Sequence, residues 1–192
     1  MGKEDIERIE ELIKNIYSGN KFPKIENLVI NEEYVKEIYH KILENCETNV
    51  SFVICPECKN CYWIFISESK DIPIIPLYHE NRESRKLWIK KYGSNHYQMN
   101  ISFSRLGKIV LIYWSKYLIR FFLEFSKKVF NPPNILWESI LNKLKIILNE
   151  NEIFILPSSM VYKKYSYRYE NEEGEVDNAP PLYKLLFCDE LH

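Results

Sequence analysis

Cys55, Cys58 and Cys61 fall within one short stretch, Cys55-Pro56-Glu57-Cys58-Lys59-Asn60-Cys61, the densest group of chemistry-bearing side chains in the sequence. A Cys-Pro-x-Cys turn resembles a zinc knuckle, where the backbone aims two thiolates at one ion. A closed structural zinc site needs four ligands, usually from two such turns, and the sequence holds no second one. His79 or Cys188 would have to complete the set, and nothing in their positions brings them to the turn. The plainer reading is a hairpin tip carrying incidental thiols, so no metal and no other cofactor is expected. A zinc-stabilised interaction module built on Cys55, Cys58 and Cys61 is the alternative. Cys58 acting as a nucleophile with a remote histidine is another. His40, His79, His96 and His192 are scattered, however, and show no nucleophile–base arrangement. No catalytic residue is assigned, and the chain is read as a non-enzyme.

The second constellation lies near the C-terminus. Tyr165, Tyr167 and Tyr169 alternate with Ser166, Arg168 and Glu170, and Tyr162 stands just before them. On a strand those three rings share one face. Glu172, Glu173, Glu175 and Asp177 follow almost without compensating base. Read as function, this is a partner-binding patch: tyrosines give contact area and the acids steer a basic partner. Read without function, it is a core-facing strand followed by a solvated loop.

Composition closes off other classes. The chain has 192 residues, 46% hydrophobic and 28% charged, as a folded single domain of ordinary make-up requires. Glycine occurs five times, at dispersed positions, so no glycine-rich phosphate loop can form. Net charge is −1 and basic residues form no long stripe, which disfavours nucleic acid as a partner. The most membrane-like run, Ile109 to Phe125, is interrupted by Lys116, Arg120 and Glu124, charges that are costly inside a bilayer. No secretory leader is visible, and five cysteines in a reducing compartment are free thiols, so a soluble cytosolic protein is expected.

Periodicity supplies the elements that would position these groups. A helix is predicted over residues 3 to 17 from Ile6, Ile9, Ile13 and Ile16, with Gly19 and Pro23 ending the run. A second starts after an Asn31 N-cap and buries Val35, Ile38, Ile42 and Cys46. Val50–Cys55 and Cys61–Glu68 read as a hairpin, and Asp71–Pro76 as an edge strand or loop. Glu80–Lys91 reads as a surface helix anchored by Leu87 and Trp88 and stopped at Gly93. Tyr97–Ser104 and Lys108–Ser115 form another hairpin, the first strand with one wet face, the second apolar on both. Tyr117–Phe125 alternates as a strand, while Leu118, Phe121, Phe122 and Phe125 fit a helix nearly as well; its aromatic and β-branched residues favour the strand. A helix capped by Asn131, with Pro132 at its first position, buries Leu136, Ile140, Leu144 and Ile147. Ile153–Leu156 and Val161–Tyr169 read as strands, Glu170–Asn178 as an acidic loop, and Leu182–Leu186 as a short apolar end. The sum, over residues 1 to 192, is one α+β domain: helices packed on a mainly antiparallel sheet.

The segment Ser104–Trp114 (SRLGKIVLIYW), the ending Leu185–Leu191 (LLFCDEL) and the FNPP run leading to a Trp-bearing helix, Phe130–Trp137, resemble pieces of small bacterial immunity proteins. The resemblance covers the C-terminal half and leaves out the Cys55–Cys61 cluster. It implies a protein that binds a cognate toxin and occludes it, with no catalytic residues of its own.

Overall fold

The computed structural model describes residues 3–17, 30–54, 61–75, 82–93, 95–120, 123–167, 169–170 and 176–187. Cys55, Cys58, Glu172, Glu173 and Glu175 lie outside the described residues, as do Gly19, Pro23, His79, Cys188 and His192.

The sequence stretch apolar on both faces becomes the axis of the fold. Strand β4 (Ile109–Arg120) pairs antiparallel with β3 (Gln98–Ser104), which pairs with β2 (Cys61–Ile66), which pairs with β1 (Val50–Val53). The other edge of β4 is shared. Its second half pairs with antiparallel β5 (Leu123–Val129), its start with parallel β6 (Phe154–Ile155). The Tyr117–Phe125 run is therefore not one strand. It is the end of β4 and the start of β5, with residues 121 and 122 between them outside the described residues. The parallel strand was not foreseen, because period alone says nothing about direction.

Strand alternation sends two sets of side chains to opposite faces. Ile109, Leu111 and Tyr113 join Cys61, Trp63 and Phe65 under α1 (Lys3–Tyr17), α5 (Ser158–Val161) and α6 (Leu182–Leu186). Val110, Ile112 and Trp114 join Tyr62, Ile64, Met99 and Ile101 under α2 (Glu32–Asn45) and α4 (Ile135–Glu150). The α+β domain thus has helices on both sides of its sheet. A last pair, β7 (Tyr169–Glu170) and β8 (Val176–Asp177), forms a separate two-stranded ribbon. Among the described residues, no helix is long and apolar enough to cross a membrane.

Local signals explain most helix ends. Asn31 Oδ1 accepts from Tyr34 N at 2.9 Å, the expected cap, and Val35, Ile38, Ile42 and Cys46 are buried. Gly93 closes α3 (Arg82–Tyr92) at φ 89°, with its N–H on Ile89 O. Two helical expectations need correction. Of the two expected anchors of α3, Trp88 is buried but Leu87 is 65% exposed. In α4 the cap is Asn134, not Asn131, and its Oδ1 accepts from Trp137 N at 3.1 Å. Trp137 accordingly takes the buried place expected of Leu136, which is exposed.

The wet face expected of β3 is dry. Gln98, Asn100, Ser102 and Ser104 are all buried, because the α1, α5 and α6 layer covers them. Gln98 and Asn100 bond each other, and Ser104 bonds the backbone. Asn100 Nδ2 donates to Ser115 Oγ at 2.9 Å and reaches Gln98 O and Tyr113 O, while its Oδ1 accepts from Gln98 Nε2. Gln98 Oε1 accepts from Ile75 N at 2.8 Å, pinning the 72–75 segment across the sheet end. Ser104 Oγ donates to Leu186 O at 2.7 Å and accepts from Leu106 N. Among the described residues Ser102 Oγ has no hydrogen-bond partner.

These two neighbours should respond oppositely to truncation. Asn100→Ala strands several buried partners and should cost about 2–3 kcal/mol in urea unfolding. Ser102→Ala removes an unsatisfied hydroxyl and should lie within about 0.5 kcal/mol of the parent or above it.

Candidate functional site

The C-terminal tyrosines do not sit on one strand. Chain 158–161 is helix α5, residues 162–167 run irregularly, and only Tyr169 lies in β7, in register with Asp177. The strand expected over Val161–Tyr169 fails because this segment bonds elsewhere: Leu182 N donates to Lys163 O at 2.9 Å and Tyr165 N to Pro180 O at 3.1 Å. The segment is thereby strapped to the start of α6.

Its tyrosines still gather. Tyr165 and Tyr167 are half-buried and stack with centroids 6.4 Å apart at 17°. Tyr167 meets Tyr17 of α1 at 6.0 Å. A second aromatic chain runs outward from the core: Tyr113 to Phe130, Phe130 edge-on to Tyr162, and Tyr162 edge-on to Tyr183. Tyr162 is 59% exposed. The result is a tyrosine surface with rings fixed from beneath, since Tyr165, Tyr167 and Tyr183 all pack on the core.

An open groove of about 460 Å3 runs between α1 and this segment, lined by Glu10, Glu11, Lys14, Lys163, Lys164, Tyr165, Ser166 and Tyr167. Lys163 spans it, donating to Glu10 at 2.6 Å while its ammonium lies 5.3 Å from the Tyr165 ring centroid. The bond to Glu10 holds the Lys163 pKa above the ordinary lysine value. Burial pushes the Tyr165 phenol up, and the adjacent Lys163 ammonium pulls it partly back. Asp177, expected beside these tyrosines as a steering acid, lies opposite Tyr169 in the ribbon and accepts from Ala179 N at 2.9 Å. Of the expected site, then, the structure brings Tyr165 and Tyr167 together, and the charges it sets beside them are lysines from α1 and the 163–164 pair, with Glu10 and Glu11.

The α1 wall is fixed at several points. Tyr17 OH donates to Leu185 O, joining α1 to α6. Leu12 covers Gly107, where a Cβ would lie 3.0 Å from its Cδ2, so any larger residue in the β3–β4 turn would require the Leu12 side chain to shift. On the far side of α1 a smaller cleft of about 240 Å3 is lined chiefly by Ile9, Leu12, Ile109 and Phe154.

One titratable cluster escaped the sequence reading. His96 Nδ1 lies 2.6 Å from Glu68 Oε2, and Glu68 Oε1 accepts from the buried Trp137 indole at 3.1 Å. The pair has the look of a histidine–carboxylate catalytic dyad. The second ring nitrogen, however, lies 2.7 Å from Tyr92 O and is thus occupied by the backbone. A general base needs that nitrogen free for substrate. The cluster is a staple joining the end of β2, the segment before β3, and α4. No motif signalled it, since its members are far apart in sequence. As for the cysteines, Cys61 is buried in the core with Ile9 and Ile13. Among the described residues no three His, Cys, Asp or Glu side chains converge as a metal set.

No family model, curated protein or solved structure matches this chain.

Glu68→Ala leaves the Trp137 indole and the His96 ring without their acceptor, and should cost about 2–4 kcal/mol in urea unfolding. Glu68→Gln, which keeps an acceptor for Trp137, should cost less than half of that. Tyr17 generates a pH effect. Burial raises its pKa above the ordinary value of 10.0. A phenol harder to ionise folded than unfolded stabilises the fold fully below about pH 10, and that contribution declines as pH rises further. Tyr17→Phe should cost about 1–2 kcal/mol at neutral pH for the hydrogen bond lost. Its stability should fall less steeply than the parent's above about pH 10.

Proposed function

We propose that this chain is a binding protein of the immunity type, which neutralises a cognate bacterial toxin by covering part of its surface. The observation that carries this reading is the tyrosine surface of residues 162–167 and Tyr183, part-exposed, held from below and flanked by lysines. Tyrosine gives large, amphipathic contact area at small conformational cost, and together with serine it dominates surfaces specialised for binding proteins. The rings here are ordered by packing on the core and on each other, so binding would not have to freeze them. The resemblance of Ser104–Trp114, Phe130–Trp137 and Leu185–Leu191 to immunity proteins points the same way. On this reading the protein works in the bacterial cytosol and carries no catalytic group or cofactor.

The test is co-expression with the product of the neighbouring reading frame. Cells making that product alone should stop growing, and cells making both proteins should grow. Tyr162→Ala combined with Tyr165→Ala should weaken the purified complex at least tenfold, about 1.4 kcal/mol or more, while circular dichroism and urea unfolding show the variant folded. A harmless neighbouring product, or full protection and unchanged affinity with the folded variant, would overturn the proposal.

A further inference from the structure

We infer that the groove between α1 and residues 162–167 receives an extended acidic segment of the partner protein, a deepening that rests on the binding role proposed above. Charge complementarity carries it. Lys163 is spent on Glu10. Lys14 and Lys164 line the same groove, and their ammonium groups have no ion-pair or hydrogen-bond partner among the described residues. Against these two free cations stands one uncompensated carboxylate, Glu11. The stacked pair Tyr165 and Tyr167 lines the groove beside them. A groove with cations on both walls and aromatic rings beside them fits a chain that alternates carboxylates with apolar side chains. The carboxylates meet Lys14 and Lys164, and the apolar groups lie on the tyrosines. A continuous phosphate backbone fits worse: it carries a charge on every unit and would set some against Glu10 and Glu11, whereas an alternating peptide can place uncharged side chains there.

The experiment is amide chemical-shift mapping on the whole chain, with Glu-Leu-Glu-Leu-Glu as probe and Lys-Leu-Lys-Leu-Lys and decauridylate as comparisons. The acidic peptide should move amides of Lys14 and residues 163–167 at low salt. Its affinity should fall at least threefold, about 0.65 kcal/mol, between about 20 and about 200 mM salt. Lys14→Glu with Lys164→Glu, both exposed positions, should abolish the shifts while leaving the rest of the spectrum in place. The inference fails if the acidic peptide leaves these amides unmoved, if the basic peptide or the oligonucleotide moves them instead, or if the double variant still responds. Peptide mapping that succeeds while co-expression gives no protection would retain the acidic groove and remove toxin neutralisation. Protection that persists while mapping fails would do the reverse.

Discussion

Strand β4 carries Ile109, Leu111 and Tyr113 to one face of the sheet and Val110, Ile112 and Trp114 to the other, and neither set can be left in water. Each large apolar side chain contributes about 1.5–3 kcal/mol when fully buried. Leaving either face open would therefore forfeit an amount comparable with the whole net stability of a domain, about 5–15 kcal/mol. The sheet has to be covered twice. That requirement recruits α2 and α4 to one side and the short C-terminal helices, with α1, to the other. It also explains why the polar row of β3 is buried: the layer that covers Leu111 and Tyr113 necessarily covers Asn100 and Ser102 as well. The cost at Asn100 is offset by its bonds to Gln98, Tyr113 and Ser115, while the Ser102 hydroxyl has no partner among the described residues.

The two layers differ in how they are built, and the groove follows from that difference. The α2–α4 layer is made of two long helices whose ends are capped by asparagine side chains. The opposite layer is made of α1 and two short helices of four and five residues joined by irregular chain. Short helices leave a covering layer with seams. Residues 162–167 run along one such seam beside α1, where Tyr165 and Tyr167 pack on the core and line the groove. The same rings that finish the core therefore form the exposed surface.

What the sequence revealed and what it hid divide along the range of the interactions involved. The α2 cap, the β1–β2 and β3–β4 hairpins and the Gly93 stop were legible because each depends on residues a few positions apart. The start of α4 was misplaced because Asn131-Pro132 and Asn134 both satisfy a local capping rule. The second fits better in the fold, where it turns Trp137 inward to meet Glu68. The burial of the β3 polar face, the parallel β6 and the His96–Glu68 staple depend on partners far along the chain, and no period encodes them. Within the candidate site, the presence of Tyr165 and Tyr167 was legible. Their companions were not, because Lys14 and Glu10 arrive from the opposite end of the sequence.

That last distance has a consequence for biogenesis. Tyr17 bonds Leu185, and α1 packs with α5 and α6 on one shared cluster. While the chain is being made, one face of the sheet, with Trp63 and Tyr113 on it, waits for its cover until the ribosome has released Leu185. The nascent protein passes through a stage in which its central sheet is half-clad, and at that stage it is exposed to chaperones and to its own aggregation. The groove needs both α1 and residues 162–167, so it cannot be complete before the chain through Tyr167 has emerged.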